Sequence, residues 1–272
     1  MRSPGAKAEE MADARAGTYV YAITRRLEPE RVRGMHGIAG EPVRIVEYAG
    51  LSAIVGSVDP RRFENEPSRH DLDDLRSLEA VLRQHHQVVQ VVAGAAAVVP
   101  LRMGTVYRGD QRVRELLEDR RDDFEAALSR VTGRTEWGVK LQVDPRIFAA
   151  GTAAGESPSA ARPAGPGTRY LRRRRAEEES RQRVWDRAAA LADRVHAEVS
   201  GVAVASRRHT PQDPRLSGHQ GWMLLNGAYL VDDGRYDDLA AVVRRFHDPD
   251  RGLRLELTGP WAPWSFAEGG GS

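Results

Sequence analysis

The sequence contains no cysteine, only two lysines among 272 residues, and few aromatic side chains. The absence of cysteine excludes disulfide frameworks, thiolate zinc sites and cysteine nucleophiles. The longest uncharged stretch, 87–101, is shorter than the roughly 20 residues of a membrane-spanning helix and is interrupted by Pro100. The first 16 residues have no apolar segment of the kind found in a secretory signal. We therefore predict a cytoplasmic protein that has no membrane partner.

Recognisable catalytic motifs are also absent. No dinucleotide fingerprint, P-loop, zinc-protease or nucleophile-elbow spacing occurs in the sequence. No predicted helix carries His and Glu at metal-ligand spacing with a matching partner elsewhere. The prediction is a protein without enzymatic activity, cofactor or metal site.

The charge pattern argues against a nucleic-acid partner. The 41 basic and 39 acidic residues nearly balance, whereas nucleic-acid binders usually carry a concentrated basic footprint. The longest basic run, 172–175, is followed by three glutamates, and pairs such as Arg173–Glu177 have the spacing of ion pairs along one helix. A solvated helix face is favoured over a nucleic-acid patch.

The first half of the chain predicts an α+β domain. Alternating residues over 18–24 indicate a strand with Tyr19, Tyr21 and Ile23 on one face, and two further strands, 43–48 and 51–58, form a hairpin at Ala49-Gly50. A helix over 71–93 follows, and its apolar seam contains His85. A histidine on such a seam is a core residue more often than a ligand or a base.

A central apolar stretch, 98–107, is flanked by long amphipathic patterns. It reads as a buried strand, with Pro100 at an edge or bend. A buried Arg102 guanidinium would need an ion-pair partner, and a structural pair is favoured over a ligand site. Asp110 is then expected to cap a second helix that runs to about Arg130 and ends at Gly133.

The helices and strands predicted in the second half of the chain follow the order β-α-β-β-α-β. The elements are strands over 136–143, 202–207, 222–231 and 253–257 and helices over 170–199 and 236–246. This order is that of a split βαβ, ferredoxin-like sandwich. The segment 149–168 is rich in Ala, Gly, Ser and Pro and is expected to be a disordered linker.

The fold class predicted from these patterns is α+β in two domains. We expect a tail over 1–17, a first domain over 18–133, a ferredoxin-like domain over 134–266 with a flexible insertion at 149–169, and a tail over 267–272. The alternative places the boundary inside the linker. A ferredoxin-like sheet also permits an RNA-binding or small-molecule-binding module, with Trp222 and Tyr229 as stacking residues, although the basic-Gly-aromatic RNA-binding pattern is absent.

Six segments, in order along the chain, carry a resemblance to a known family. They are Tyr19-Val-Tyr-Ala-Ile23, Val99-Pro-Leu-Arg-Met-Gly-Thr-Val106, Glu136-Trp-Gly-Val-Lys140, Tyr170-Leu-Arg-Arg-Arg174, Leu225-Asn-Gly-Ala-Tyr-Leu-Val231 and Leu257-Thr-Gly-Pro-Trp-Ala-Pro-Trp-Ser-Phe266. The chain resembles the gas vesicle accessory proteins of the GvpF/GvpL type over 18–266. It departs from the family pattern at Met103, where an aromatic is usual, and at Ala262 and Trp264, which replace a proline and a tyrosine.

The resemblance implies a role in gas vesicle assembly rather than catalysis. It implies binding to the small hydrophobic shell protein (GvpA type) and to other accessory gas vesicle proteins, and a location at the gas vesicle in the cytoplasm. An unpaired strand edge or an apolar groove would suit that task. The candidate partner-binding or structural residues are Leu101, Arg102, Met103, Trp137, Trp222, Tyr229, Pro260, Trp261, Pro263, Trp264 and Phe266.

In the segment 259–266, the positions of the prolines predict that the side chains of Trp261 and Trp264 point in different directions. Pro260 and Pro263 cannot continue a sheet ladder and favour polyproline geometry. The favoured interpretation has both rings capping the sheet end, with Trp261→Ala costing about 3–5 kcal/mol as a core truncation. The alternative makes Trp264 a docking residue whose loss weakens binding and leaves stability nearly unchanged.

Overall fold

The structure is a computed structural model that describes residues 17–59, 61, 72–152, 166–210 and 221–267. It contains both helices and antiparallel strands, which confirms the α+β class. The described residues group into two compact units. The first comprises 17–135 together with 261–267, and the second comprises Glu136–Pro260.

The first unit is built on a five-stranded sheet. Its strands are β1 (Gly17–Arg25), β2 (Arg44–Tyr48), β3 (Leu51–Val58), β4 (Val98–Pro100) and β5 (Val106–Arg108). The order is β2-β3-β1-β4, and β5 also pairs with β1. The predicted hairpin is confirmed: Tyr48 pairs with Leu51, and positive φ angles of 49° at Ala49 and 87° at Gly50 close a two-residue turn.

Both faces of this sheet are covered. Helix α1 (Leu72–Ala93) buries Val88, Val89 and Val92 beside Tyr19 and Tyr21. Helices α2 (Gly109–Asp119) and α3 (Arg121–Val131) line the opposite face. The core on that face includes Val20, Ile23, Val113, Leu117, Phe124 and Leu128.

Strand β1 differs from strict alternation. The pairing of β1 with β3 shifts register between Val20 and Ala22. This bulge moves Ile23 to the face opposite Tyr19 and Tyr21, so the prediction that all three share one face is wrong.

The predicted second helix is two helices. The chain breaks at Arg120, where φ is −113° and ψ is 23°, and α3 then starts again. Asp110 does not cap α2: its carboxylate accepts hydrogen bonds from Thr18 Oγ1 at 2.9 Å and from Arg44 Nη2 at 2.8 Å. Although burial favours the protonated form, the bonds from Arg44 and Thr18 hold the pKa of Asp110 below its usual value. Gly133, at a φ of +70°, follows α3 as predicted.

The second unit is built on a four-stranded sheet. Its strands are β6 (Arg134–Val143, shared with the end of the first unit), β7 (Ala205–Arg208), β8 (Trp222–Asp232) and β9 (Leu253–Trp261), in the order β7-β8-β6-β9. Helices α5 (Pro166–Ser200) and α6 (Tyr236–Phe246) connect them. The core combines both layers and includes Val139, Leu141, Ala188, Val195, Leu225, Val231 and Leu239.

The prediction of a disordered linker over 149–168 is wrong at both of its ends. A short helix, α4, spans Pro145–Thr152, and α5 begins at Pro166. Asp144 stabilises the start of α4, since its side chain accepts hydrogen bonds from the Arg146 and Ile147 amides at 2.9 and 3.3 Å. Phe148 packs on the core, and this burial offsets the cost of ordering the segment. The rest of the predicted linker lies outside the described residues.

Candidate functional site

A cluster of aromatic and imidazole rings lies between β1 and α1 of the first unit. Tyr19 and Tyr21 lie with ring centroids 4.8 Å apart, and Tyr21 lies 5.7 Å from His85. His86 stacks on Trp264, with centroids 4.6 Å apart and planes inclined by 23°. We call these five residues the ring cluster.

The two hydrogen-bond partners of His85, the Tyr19 hydroxyl and the Leu101 carbonyl, determine its tautomer. The hydroxyl oxygen accepts the Gly104 amide hydrogen at 3.1 Å and lies 2.9 Å from His85 Nδ1. Because the Leu101 carbonyl can only accept, the imidazole hydrogen is on His85 Nε2, and Nδ1 of the neutral ring accepts the hydrogen of the Tyr19 hydroxyl. Nε2 lies 3.2 Å from the Leu101 carbonyl and donates to it. Tyr19 and His85 thus hold both ends of the turn 101–104.

Burial keeps this network neutral. It raises the pKa of Tyr19 well above its usual value and lowers the pKa of His85 to about 4, with the neighbouring His86 adding to the decrease. His85 is 1% exposed, in agreement with the core role preferred from the sequence. The turn therefore rests on uncharged and well-bonded groups at neutral pH.

Two glycines make room for the second tyrosine of the cluster. The Tyr21 hydroxyl accepts the Ile38 amide hydrogen at 2.8 Å. A Cβ at Gly37 would lie 2.1 Å from that hydroxyl, and one at Gly56 would lie 3.2 Å from it. Any larger residue at Gly37 would displace the ring.

The turn itself is the part that reaches solvent. The predicted single buried strand over 98–107 is wrong, because the chain turns between β4 and β5 at Gly104, where φ is +85°. Arg102 is exposed rather than buried, so its guanidinium retains contact with water. Met103 is 38% exposed, and Leu101 is half-buried. Thr105 stabilises the turn by donating from Oγ1 to the Arg102 carbonyl at 2.6 Å.

The segment 261–267, here called the C-terminal segment, packs on the same unit. The Ala262 amide donates to Gln90 Oε1 at 3.1 Å, and Arg130 Nη1 donates to the Phe266 carbonyl at 3.3 Å. Ala262 and Phe266 are buried. The prediction that these residues belong to the second domain is wrong, because their hydrogen bonds and burial are in the first unit.

The two tryptophans of this segment differ from the favoured interpretation. Trp261 is 47% exposed and ends strand β9, which continues through Pro260 against expectation. Trp264 is the half-buried residue, and it contacts His85 as well as His86. Trp261 is therefore not a core residue.

The structure brings only some of the candidate residues together. Leu101, Arg102 and Met103 form the turn, whereas Pro263, Trp264 and Phe266 lie in the C-terminal segment. Both groups contact α1 through the ring cluster. Sequence reasoning missed exposed Leu82, which lies one helical turn before His86. Its position on the apolar stripe of α1 was the available signal.

The remaining candidates lie in the second unit and have other contacts. Trp137 packs on Tyr236, with ring centroids 4.7 Å apart. Trp222 meets Trp185 edge to face at 4.9 Å. Tyr229 is fully buried, and its hydroxyl lies 2.8 Å from His196 Nδ1, so its ring is unable to stack on a base.

No helix in the described part of the chain has both the length and the apolar character needed to cross a bilayer. Among the same residues, no group of three or more His, Asp and Glu side chains is arranged to hold a metal ion.

The family profile described as "Gas vesicle synthesis protein GvpL/GvpF" matches residues 17–268. The chain belongs to the GvpL/GvpF family. It is 44% identical to gas vesicle protein L of Streptomyces sp. (strain CB03234) over 249 residues, which cover 92% of each chain. It is 27% identical to gas vesicle protein F of the same organism, over 92% of this chain and 99% of that protein.

The fold is also that of a solved GvpF. The crystal structure of gas vesicle protein GvpF from Anabaena sp. PCC7120 matches with a TM-score of 0.68 over 93% of this chain and 96% of that chain. The sequence identity is 18%, so this likeness concerns the fold alone.

For this GvpL/GvpF chain we expect Trp264→Ala to destabilise more than Trp261→Ala. The substitution Trp264→Ala removes the ring that stacks on His86 and is half-buried. We expect it to lower the free energy of unfolding by about 2 kcal/mol, less than a full core truncation does. Trp261 is nearly half exposed, so its replacement should cost less than about 1 kcal/mol. Urea denaturation of both variants measures the difference. A larger loss for Trp261→Ala would contradict the assignment of Trp264 to the ring cluster.

Proposed function

We propose that this protein is a non-catalytic assembly factor in gas vesicle formation that binds the hydrophobic shell protein (GvpA type) and other accessory gas vesicle proteins, at the gas vesicle in the cytoplasm. Membership of a gas vesicle synthesis family supports the role. The observation that carries the binding part is the exposure of apolar side chains on the elements that hold the ring cluster: Leu82 on α1, Met103 in the turn 101–104, and Trp261 next to Ala262, whose amide bonds to Gln90 of α1. We propose that these three side chains and the half-buried Trp264 form one apolar surface.

Several properties of this apolar surface suit a hydrophobic partner. Tryptophan is enriched among residues that dominate binding energy, and methionine adapts to irregular apolar surfaces. The Tyr19 and His85 hydrogen bonds hold the turn that carries Met103, so little ordering entropy is lost on binding.

We also propose that the second unit is a modified ferredoxin-like sandwich. The strand order β7-β8-β6-β9 and the βαββαβ sequence of elements, with α4 added, support this assignment. The proposed domains keep a boundary near 133–135, with residues 261–266 moved from the second domain to the first.

The RNA-binding alternative has less support. It needs exposed aromatic rings on the sheet, and burial of Tyr229 against α5 removes one of the two proposed stacking residues. A small-molecule module is tested together with the groove described below.

Co-purification tests the proposal. The tagged full chain should retain the shell protein, and the double variant Met103→Asp with Trp261→Ser should retain at least about tenfold less, because two apolar contacts are replaced by polar groups. Val204→Asp is the matched control, since Val204 is 48% exposed in the second unit. Melting curves check that folding is preserved.

Two outcomes would contradict the proposal. The first is a wild-type chain that retains neither the shell protein nor any accessory gas vesicle protein. The second is a folded double variant that retains as much shell protein as the Val204→Asp control, which would remove the apolar surface as the binding site.

A further inference from the structure

The second unit contains a groove of about 680 Å³ between α4, α5 and the end of α6. We call it the arginine groove. Phe148, Leu191, Phe246 and Leu253 contribute its apolar part, and Arg187, Arg194, Arg245 and Arg251 also line it. Its arginines are exposed, whereas Leu191 and Phe246 are half-buried. The groove thus has an apolar floor and a cationic rim.

The wall formed by α4 is held closely against the loop before β9. The Asp144 amide donates to the Gly252 carbonyl at 2.8 Å. A Cβ at Gly252 would lie 2.9 Å from the Asp144 carbonyl oxygen and 3.1 Å from the Phe148 amide nitrogen, and the φ of Gly252 is +75°. Glycine at this position allows the close approach, so the groove is formed before any partner binds.

The groove has an excess of positive charge. Arg245 pairs with Glu198, and Arg251 Nε lies 3.4 Å from Asp248 Oδ2. The lining contains these two carboxylates and four arginines. The Arg194 guanidinium lies over the Phe246 ring at 6.0 Å and has no carboxylate within ion-pair distance among the described residues. A ligand carboxylate would supply the missing charge.

The groove is elongated along α5. Arg187, Leu191, Arg194 and Glu198 follow one another at steps of four, three and four residues, so they share one helix face. The eleven residue steps from Arg187 to Glu198 extend about 16 Å along the helix axis, which matches three turns of a second helix laid alongside. Charged and apolar side chains alternate along this face of α5. A partner that matches it therefore needs both charged and apolar side chains on one face.

We propose that the arginine groove binds an acidic amphipathic helix of another protein. A carboxylate of that helix pairs with Arg194, and its apolar face covers Leu191, in the helix-in-groove mode. Nucleic acid is a poorer match, because a phosphate backbone has no apolar face to cover Leu191 and Phe246. This site lies in the second unit and is independent of the apolar surface proposed for the shell protein.

Fluorescence polarisation with the full chain tests the site. The probe is a labelled helical peptide of about 14 residues with leucine on one face and glutamate beside it, the length of three to four turns. We expect saturable binding that weakens when NaCl is raised from about 50 to about 300 mM. Arg194→Glu and Leu191→Ser should each weaken binding at least about tenfold, the first by charge repulsion and the second by loss of apolar contact.

The controls are a variant and two peptides. Arg174→Glu places the same change on α5 at about 200° from Arg194 around the helix, and it should bind as the wild type does. Peptides with lysine for glutamate or serine for leucine should bind at least about tenfold more weakly. Absence of binding by the acidic peptide, or equal binding by Arg194→Glu and Arg174→Glu, would overturn the proposal. Binding of a nucleoside triphosphate, sensitive to Arg194→Glu, without peptide binding would instead make the groove a small-anion site.

Discussion

Replacing Tyr19 by alanine is expected to lower the free energy of unfolding by about 4 kcal/mol, the largest effect that we expect of a single substitution in this protein. Tyr19 is fully buried, and its ring packs against those of Tyr21 and His85. The substitution removes this packing and leaves both the Gly104 amide and His85 Nδ1 without the hydroxyl that they contact. The turn that carries Met103 would then lose one of its two supports.

Chemical denaturation measures the loss of stability, and capture of the shell protein measures the effect of the weakened turn on binding. Tyr19→Phe keeps the ring and removes only the hydroxyl, so it should cost about 1–3 kcal/mol, the value for an unsatisfied buried group. Tyr170→Ala is the matched control: Tyr170 is 64% exposed, and its loss should cost less than about 0.5 kcal/mol. A Tyr19→Phe protein as unstable as Tyr19→Ala would show that packing contributes little to the difference.

The second large effect is a loss of stability in acid that depends on His85. Burial lowers the pKa of His85 to about 4 in the folded protein, whereas an unfolded histidine titrates near 6.5. Between these values the unfolded chain binds a proton that the folded chain does not, so stability is fully present above pH 6.5 and decreases as the pH falls. The decrease attributable to His85 is on the order of 3 kcal/mol by pH 4.

Comparison with a variant separates His85 from the carboxylates that also titrate in acid. The free energy of unfolding of the wild type and of His85→Gln should be measured from pH 7 to pH 4. The variant is less stable at pH 7, and its curve should be flatter by about the predicted amount. Parallel curves for wild type and His85→Gln would refute the assignment of the acid sensitivity to His85.

Local patterns predicted the elements whose causes are local. The hairpin at Ala49-Gly50 follows from a two-residue turn between alternating strands, and the burial of His85 follows from its place on the seam of α1. The ion pair between Arg173 and Glu177, 2.9 Å long, follows from helical spacing alone. Each of these features depends on residues close together in the chain.

The features that were missed depend on residues far apart in the chain. Trp264 is partly buried because the C-terminal segment packs on α1, and the bond between Ala262 and Gln90 joins residues 172 positions apart. Arg102 is exposed because Gly104 turns the chain beneath the Tyr19 hydroxyl, a contact across 85 positions. No periodicity encodes such pairings, so the candidate surface emerges only from the tertiary structure.

The return of the C-terminal segment to the first unit has a consequence for synthesis on the ribosome. The chain leaves the first unit after Thr135 and comes back at Trp261, so about 125 residues must be translated in between. At roughly 5–20 residues per second this takes about 6–25 s, during which His86 has no Trp264 ring to stack on. The second unit is thus fully translated before the C-terminal segment that completes the first unit. A nascent chain released early would carry a complete second unit beside an unfinished first one.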